Sequence, residues 1–294
     1  MTYTQYFLAE PLLLPLFCLV LGLIVGSFIN VVAWRLPLML QREWRLQCHE
    51  FLDLAQTDDT TPSVPPVRFN LAWPGSHCPQ CQHPIKALDN IPLLSWLLLR
   101  GQCRHCHGRI AVRYPVVELC SGLLSALVAA HFGFAWLTLA VLLLTWGLLA
   151  LTLIDLEHQL LPDDLTLPLL WLGLLVNALG GLTTLHSAVW GAAAGYGILW
   201  LVYWAFRLLT GKEGMGYGDF KLLAALGAWL GWPALPLIIL LASVVGAIVG
   251  IVLLVARRQH RDTPLPFGPY LAASGFLALL WGEQIGSVFF SWMG

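Results

Sequence analysis

The sequence predicts an all-α polytopic membrane protein with about eight transmembrane helices and a polar insert between helices 1 and 2. Hydrophobic residues make up 58% of the 294 residues, charged residues make up only 11%, and the mean hydropathy is +0.76. Soluble proteins carry about 25% charged residues, so this composition excludes them. The net charge of −1 gives no reason to expect a nucleic-acid partner.

Eight apolar windows carry the predicted helices. A helix that spans a bilayer needs about 20 residues, so the short sixth window is expected to be tilted or partly re-entrant. No Lys or Arg precedes the first window, which indicates a retained anchor rather than a cleaved signal peptide. The windows are 11–33, 115–134, 135–154, 165–182, 185–206, 219–231, 233–256 and 267–290.

The positive charges predict which ends of these helices share a side of the membrane. All 15 Lys and Arg residues fall in three regions, which are Arg35–Arg113, Arg207–Lys221 and Arg257–Arg261. With eight spans the three regions lie on one face, and the positive-inside rule makes that face cytoplasmic. Both termini are then periplasmic, the insert is cytoplasmic, and the lipid bilayer is the protein's first partner.

The polar insert contains two Cys-x-x-Cys pairs. A short helix near 42–54 and a Pro-rich loop over 57–66 are expected first. The spacing of the two pairs then predicts one structural Zn²⁺ with four thiolate ligands, which leaves no open position for catalysis. Free or redox-active thiols are the alternative, and histidines near the pairs are expected to be solvated. The cysteines are Cys78, Cys81, Cys103 and Cys106.

Two aspartates at the ends of apolar segments are the candidate catalytic residues. Asp155 follows the uncharged stretch 135–154, and Asp219 ends the run Gly216-Tyr217-Gly218-Asp219. The predicted topology places both at one boundary of the bilayer, where paired carboxylates suggest acid/base chemistry such as peptide hydrolysis. Gly216 and Gly218 would permit tight turns and the close approach of a substrate backbone. The milder interpretations are that Asp219 only begins helix 6 and that the glycines form a flexible loop.

Two further polar residues, Asn30 and Glu118, lie inside predicted helices. For Asn30 an interhelical hydrogen bond is the favoured interpretation. Glu118 either packs against Arg113 or another helix, or it meets a positive charge on the substrate.

These motifs together resemble the type IV prepilin peptidase family of membrane aspartyl proteases. The resemblance rests on Asp155 followed by the Gly-x-Gly-Asp motif at 216–219, and on both Cys-x-x-Cys pairs, which match bifunctional members. It also includes Gly26-Ser27-Phe28-Ile29-Asn30-Val31-Val32 with Arg35-Leu36-Pro37, and Arg113-Tyr114-Pro115 with Glu118.

The resemblance implies a bifunctional enzyme of the bacterial inner membrane. It would cleave the basic leader of type IV prepilins and type II secretion pseudopilins after a glycine on the cytoplasmic side. It would then methylate the new N-terminal residue, usually Phe, with S-adenosylmethionine as the methyl donor. The implied division is a first transmembrane helix (1–36), a cytoplasmic insert with zinc knuckles (37–112) and a membrane-embedded aspartyl protease core (113–294).

In the implied mechanism Asp155 and Asp219 share one proton and activate a water. The sequence does not say which of them is the base, and no glycine-rich fingerprint marks the methyl-donor site. Three other functions fit parts of the pattern. They are a proton-coupled transporter, a zinc-dependent sensor or assembly factor, and an intramembrane aspartyl protease with other substrates.

Overall fold

A computed structural model describes residues 12–51, 69–212, 214–257 and 265–293, and within them it confirms the all-α fold. No strand occurs in these residues, which contain only two isolated bridges. The predicted Pro-rich loop lies outside them. The described α-helices are α1 (Leu13–Phe51), α2 (Leu94–Leu98), α3 (Arg113–Phe132), α4 (Trp136–His158), α5 (Asp163–Ala178), α6 (Leu185–Thr210), α7 (Tyr217–Leu230), α8 (Leu235–Arg257) and α9 (Gly268–Met293).

Each of the eight apolar windows corresponds to one helix, with α2 as an additional short helix in the insert. Five helical segments in the described part of the chain are long and apolar enough to cross a membrane. Their bounds are Leu13–Phe51, Arg113–Phe132, Trp136–His158, Leu185–Thr210 and Trp232–Leu253. The protein is therefore a multi-pass membrane protein, while the count of eight spans stays a prediction.

The first helix is longer than the sequence indicated. The apolar window ends near residue 33, and a separate short helix was expected near 42–54, but α1 is one helix of 39 residues that includes Pro37. Proline removes one helical hydrogen bond. The residues after it (Leu38 to Glu43) are mostly good helix formers, and Gln47 Nε2 bonds Glu43 Oε1 at 3.4 Å one turn along. The short predicted helix is thus the end of α1.

The chain divides into two compact units, residues 1–130 and 131–294. In the first unit, α1 and α3 pack so closely that a Cβ at Gly26 would lie 2.8 Å from the Cα of Glu118. Small residues allow this approach between membrane helices. Asn30 Nδ2 donates to the carbonyl of Tyr114 at 3.3 Å, which confirms the predicted interhelical hydrogen bond. Glu118 packs between these helices, as one of its two interpretations required.

The second unit is built around α7, whose residues from Asp219 to Trp229 are nearly all buried. This helix of 14 residues is apolar on most sides, as expected of a helix that protein surrounds. It meets α6 backbone to backbone, since a Cβ at Gly195 would lie 2.6 Å from the carbonyl oxygen of Leu223. Asn177 on α5 ties down its far end by donating to the carbonyls of Ala228 (2.8 Å) and Trp229 (2.9 Å). The C-terminal end of α7 is thereby held in place within the unit.

Candidate functional site

Asp155 lies in the last turn of α4 and is only 5% exposed. The sequence suggested that it would follow the membrane helix directly, but α4 continues to His158. The helix stops at Gln159, which adopts a left-handed conformation (φ 51°) and donates its N–H to the Asp155 carbonyl at 2.9 Å. The carboxylate is therefore carried by a rigid helix rather than by a loop.

Asp219 lies in the first turn of α7, which has Gly216 as its N-cap, and is 7% exposed. Its N–H donates to the Gly216 carbonyl at 3.2 Å, which places it in the first turn of the helix. Asp219 therefore stands at the beginning of α7, on a helix rather than in a loop, and its catalytic role stays a prediction.

The second unit brings the two predicted aspartates together, although 64 positions separate them in the sequence. Their carboxylates are close enough for the charge of Asp155 to act on Asp219. Gly218 makes this approach feasible, because a Cβ there would lie 2.7 Å from the Cβ of Leu161, just beyond α4. A Cβ at Gly216 would have the Asp219 carboxylate as its nearest neighbour, at 3.8 Å. Gly218 therefore serves close packing, whereas Gly216 leaves open space beside the aspartate.

A third element of the site, Gly268 at the start of α9, was not recognised in the sequence. Its N–H donates to Asp155 Oδ2 at 3.0 Å in a buried hydrogen bond. A Cβ on Gly268 would lie 2.7 Å from the same oxygen, so no larger residue fits without displacing the carboxylate. The available signal was the run Pro266-Phe267-Gly268-Pro269, because a glycine followed by proline is typical of a helix start.

The surroundings of the pair supply one cation and several aromatic rings. Lys221 Nζ lies 2.6 Å from Asp163 Oδ1, so this lysine is paired with a carboxylate outside the pair. The rings of Tyr203, Tyr217 and Phe220 pack together beside Asp219, with centroids 5.2 to 5.8 Å apart. The start of α7 thus has aromatic rings on one side, and the ion pair between Lys221 and Asp163 lies on its exposed side.

The first unit contains the four predicted cysteines in one cluster, with their sulfurs all within 4.8 Å of one another. The two Cys-x-x-Cys turns have the same backbone pattern. Gln82 N–H donates to the Cys78 carbonyl at 2.9 Å, and His107 N–H donates to the Cys103 carbonyl at 3.0 Å. Gln82 and His107 both adopt φ of 57°. His83 and His105 stack on each other at 4.3 Å, so these nearby histidines occupy places outside the sulfur cluster.

The cluster fits a tetrahedral metal ion. Zn–S bonds of about 2.3 Å place the sulfurs of a tetrahedron about 3.8 Å apart, and Cys78 Sγ and Cys106 Sγ are 3.8 Å apart. Backbone N–H groups of Cys81 and Gln80 lower the pKa of Cys78 to about 6. The pKa of Cys81 is raised to about 11. A hydrogen bond from the backbone of His83 lowers this pKa, but desolvation and the neighbouring thiols together raise it by more. Such crowded thiols release several protons readily only when a cation joins them.

Two family models match the chain, one in its N-terminal part and one in its C-terminal part. A family model described as the bacterial peptidase A24 N-terminal domain matches residues 20–132, and one described as the type IV leader peptidase family matches residues 142–251. No solved structure matches the chain.

Three relatives are each named prepilin leader peptidase/N-methyltransferase. The protein from Stutzerimonas stutzeri is 58% identical over 97% of this chain and 96% of its own length. The protein from Aeromonas hydrophila is 60% identical over 90% of this chain and 89% of its own length. The protein from Pseudomonas aeruginosa is 53% identical over 100% of this chain and 99% of its own length.

Proposed function

This chain belongs to the type IV leader peptidase family, and on that premise we propose that it removes the basic leader of type IV prepilins and type II secretion pseudopilins after a glycine. It is a protease and an N-methyltransferase, as the shared name of its near full-length relatives describes. In our proposal the new N-terminal residue, usually Phe, then receives one methyl group. The observation that carries the proposal is the buried meeting of Asp155 and Asp219 in the second unit.

In the proposed cleavage, Asp155 and Asp219 act as a general base and a general acid. The ionised carboxylate takes a proton from a water, which attacks the scissile carbonyl. The protonated carboxyl group donates to the carbonyl oxygen and then assists departure of the amine. Two like charges this close to each other and away from solvent do not both persist, so one shared proton is the favoured state.

We assign the charge to Asp155 and the shared proton to Asp219. Asp155 accepts the Gly268 N–H at 3.0 Å, and such a bond is stronger to a carboxylate than to a carboxyl group. Asp155 is then the base that activates the water.

In our proposal the four cysteines hold a structural Zn²⁺, since four sulfur ligands complete its coordination. S-adenosylmethionine supplies a methyl group on a positively charged sulfur when it is bound. Localisation to the bacterial inner membrane fits the family and the apolar helices. We further propose that the insert and the active site face the cytoplasm, that both termini are periplasmic, and that the divisions at 36/37 and 112/113 separate anchor, insert and protease core.

One assay tests the proposal. Purified protein in detergent is mixed with a full-length prepilin and labelled S-adenosylmethionine, and mass spectrometry reads the product's N-terminus. We expect shortening after the leader glycine and addition of one methyl group. Asp155→Asn and Asp219→Asn should each abolish cleavage, whereas Asp164→Asn, which changes an exposed carboxylate at the start of α5, should keep it. Substantial cleavage by either Asn variant of the pair would refute the assignment, and an intact prepilin with wild-type protein would refute the substrate.

A further inference from the structure

The first unit holds a group of buried polar side chains that peptide cleavage does not use. Ser27 on α1 forms a hydrogen bond with Glu118 on α3, and Asn30, one turn further along α1, donates to the carbonyl of Tyr114, one turn before Glu118. We refer to Ser27, Asn30 and Glu118 as the acceptor cluster. Asn30 is 5% exposed and Glu118 is 8% exposed. Burying a carboxylate between two helices is unfavourable without compensating partners, so its presence there calls for a role.

The acceptor cluster has more hydrogen-bond acceptors than donors. Asn30 Nδ2 donates to the carbonyls of Gly26 (3.2 Å) and Tyr114 (3.3 Å), which uses both of its hydrogens. Its carbonyl oxygen Oδ1 is buried and has no hydrogen-bond partner among the described residues. Such orphaned buried atoms are uncommon in native proteins, and each one calls for an explanation, such as a catalytic role or a bound water or ion.

Glu118 is also short of partners for its charge. Its Oε2 accepts the backbone N–H of Leu93 at 2.9 Å, and the Ser27 hydroxyl supplies a second hydrogen bond. Within the described part of the chain, both of these partners are neutral groups. The negative charge of Glu118 is therefore available to a cation from outside the chain.

The backbone at the acceptor cluster is strained. Leu93 has φ of 59° and ψ of −49°, which is an unfavourable conformation for a residue with a side chain. It directly precedes α2, and its N–H is the group that Glu118 holds. Strained backbone that a buried side chain maintains is concentrated at functional sites in proteins. Strain, an orphaned oxygen and an unpaired carboxylate thus coincide at one place.

We propose that the acceptor cluster binds the free α-amino group of the cleaved substrate, and that Glu118 accepts the proton which this group must lose before it is methylated. This inference rests on the proposed function, because cleavage creates the amine. An ammonium group offers three N–H donors and a positive charge, which match an amide oxygen and a carboxylate. No other group in the proposed reaction is both cationic and required to lose a proton.

The chemistry balances with the groups named. An α-amino group has a pKa of about 7.7–8.0 in solution, so it is largely protonated near neutral pH and has no free lone pair. Glu118 takes one proton and becomes a neutral carboxyl group. The amine nitrogen then attacks the methyl carbon of the donor, the carbon–sulfur bond breaks, and its electron pair stays on sulfur. The product is a positively charged secondary ammonium, and Glu118 returns its proton to solvent.

The decisive variant is Glu118→Gln, because glutamine can still accept the Leu93 N–H but cannot take up a proton. Glu43→Gln, at an exposed position of α1, is its matched control. Two substrates are used. One is a full-length prepilin, which reports cleavage, and the other is a pre-cleaved peptide with a free N-terminus, which reports methylation alone. Binding of that peptide, of its N-acetylated form and of S-adenosylmethionine is measured separately.

We expect Glu118→Gln to slow methylation of the pre-cleaved peptide about 100-fold or more, as loss of a general base does, while cleavage stays within about twofold of wild type. Binding of the free-amine peptide should weaken, and binding of the acetylated peptide and of S-adenosylmethionine should not change. Normal methylation by Glu118→Gln would overturn the inference. Weaker binding of S-adenosylmethionine would move the cluster to the donor's own ammonium, and slower cleavage would move it to the basic leader. If wild-type protein neither cleaves nor methylates, the proposed function fails instead.

Discussion

Replacing Gly268 by alanine should impair cleavage, because the alanine side chain would press against the carboxylate of Asp155. The new Cβ would lie 2.7 Å from Asp155 Oδ2, whereas ordinary contact begins at 3.4 Å. The carboxylate or the start of α9 must therefore move by about 0.7 Å, which lengthens the 3.0 Å bond from the Gly268 N–H. A hydrogen bond to a charged group contributes about 1.5–3 kcal/mol. Its loss corresponds to about a 10- to 150-fold lower rate, and misplacing a catalytic group by about 1 Å costs a similar factor.

The measurement for Gly268→Ala is kcat/KM for cleavage of a prepilin, with methylation of a pre-cleaved peptide as the test of folding. We expect cleavage to fall about 10- to 100-fold and methylation to persist. Gly282→Ala is the matched control on the same helix, because a Cβ there meets nothing closer than Ala278 Cβ at 4.0 Å. Cleavage at the wild-type rate by Gly268→Ala would show that Asp155 does not depend on this contact, and the assignment of Asp155 as the base would lose its support.

Three further predictions concern the metal site and the packing of α7. Purified protein should contain about one zinc ion per chain by elemental analysis, and Cys78→Ser should lower this content; protein that folds and acts without bound metal would contradict the site. Asn177→Ala should lower the thermal unfolding temperature, because each buried backbone group left without a partner costs about 1–3 kcal/mol; an unchanged melting curve would contradict this. Gly195→Ala should also destabilise the protein, since its Cβ would meet the backbone of α7, whereas Gly197→Ala on the same helix meets open space and should melt as wild type does.

The sequence predicted well whatever depends on local pattern. The apolar runs of sufficient length form helices, because an α-helix pairs all of its backbone hydrogen-bonding groups internally and presents apolar side chains to apolar surroundings. The cysteine pairs also followed from spacing, since each pair closes its own turn at Gln82 or His107 without help from distant residues.

Features that depend on packing between distant segments could not be predicted in this way. Gly268 lies 113 residues after Asp155 in the sequence, and no spacing rule connects them. The extent of α1 was missed because the apolar window ends near residue 33, although the residues that follow Pro37 favour a helix. Likewise, the apolar window of α7 predicted a short span, whereas its nearly complete burial within the second unit depends on packing that the window does not show.

The two proposed reactions differ in the number of protons that must be handled, and the two groups of buried carboxylates differ in the same way. Peptide hydrolysis needs a base for the water and an acid for the leaving amine, and a pair that shares one proton provides both. Methylation of an amine needs only one proton acceptor, which Glu118 supplies without a second carboxylate. Because Asp155 with Asp219 and Glu118 belong to different compact units, a variant in either group should impair one activity and spare the other. Loss of both activities from either single change, in protein that remains folded, would mean that the two reactions share one set of groups.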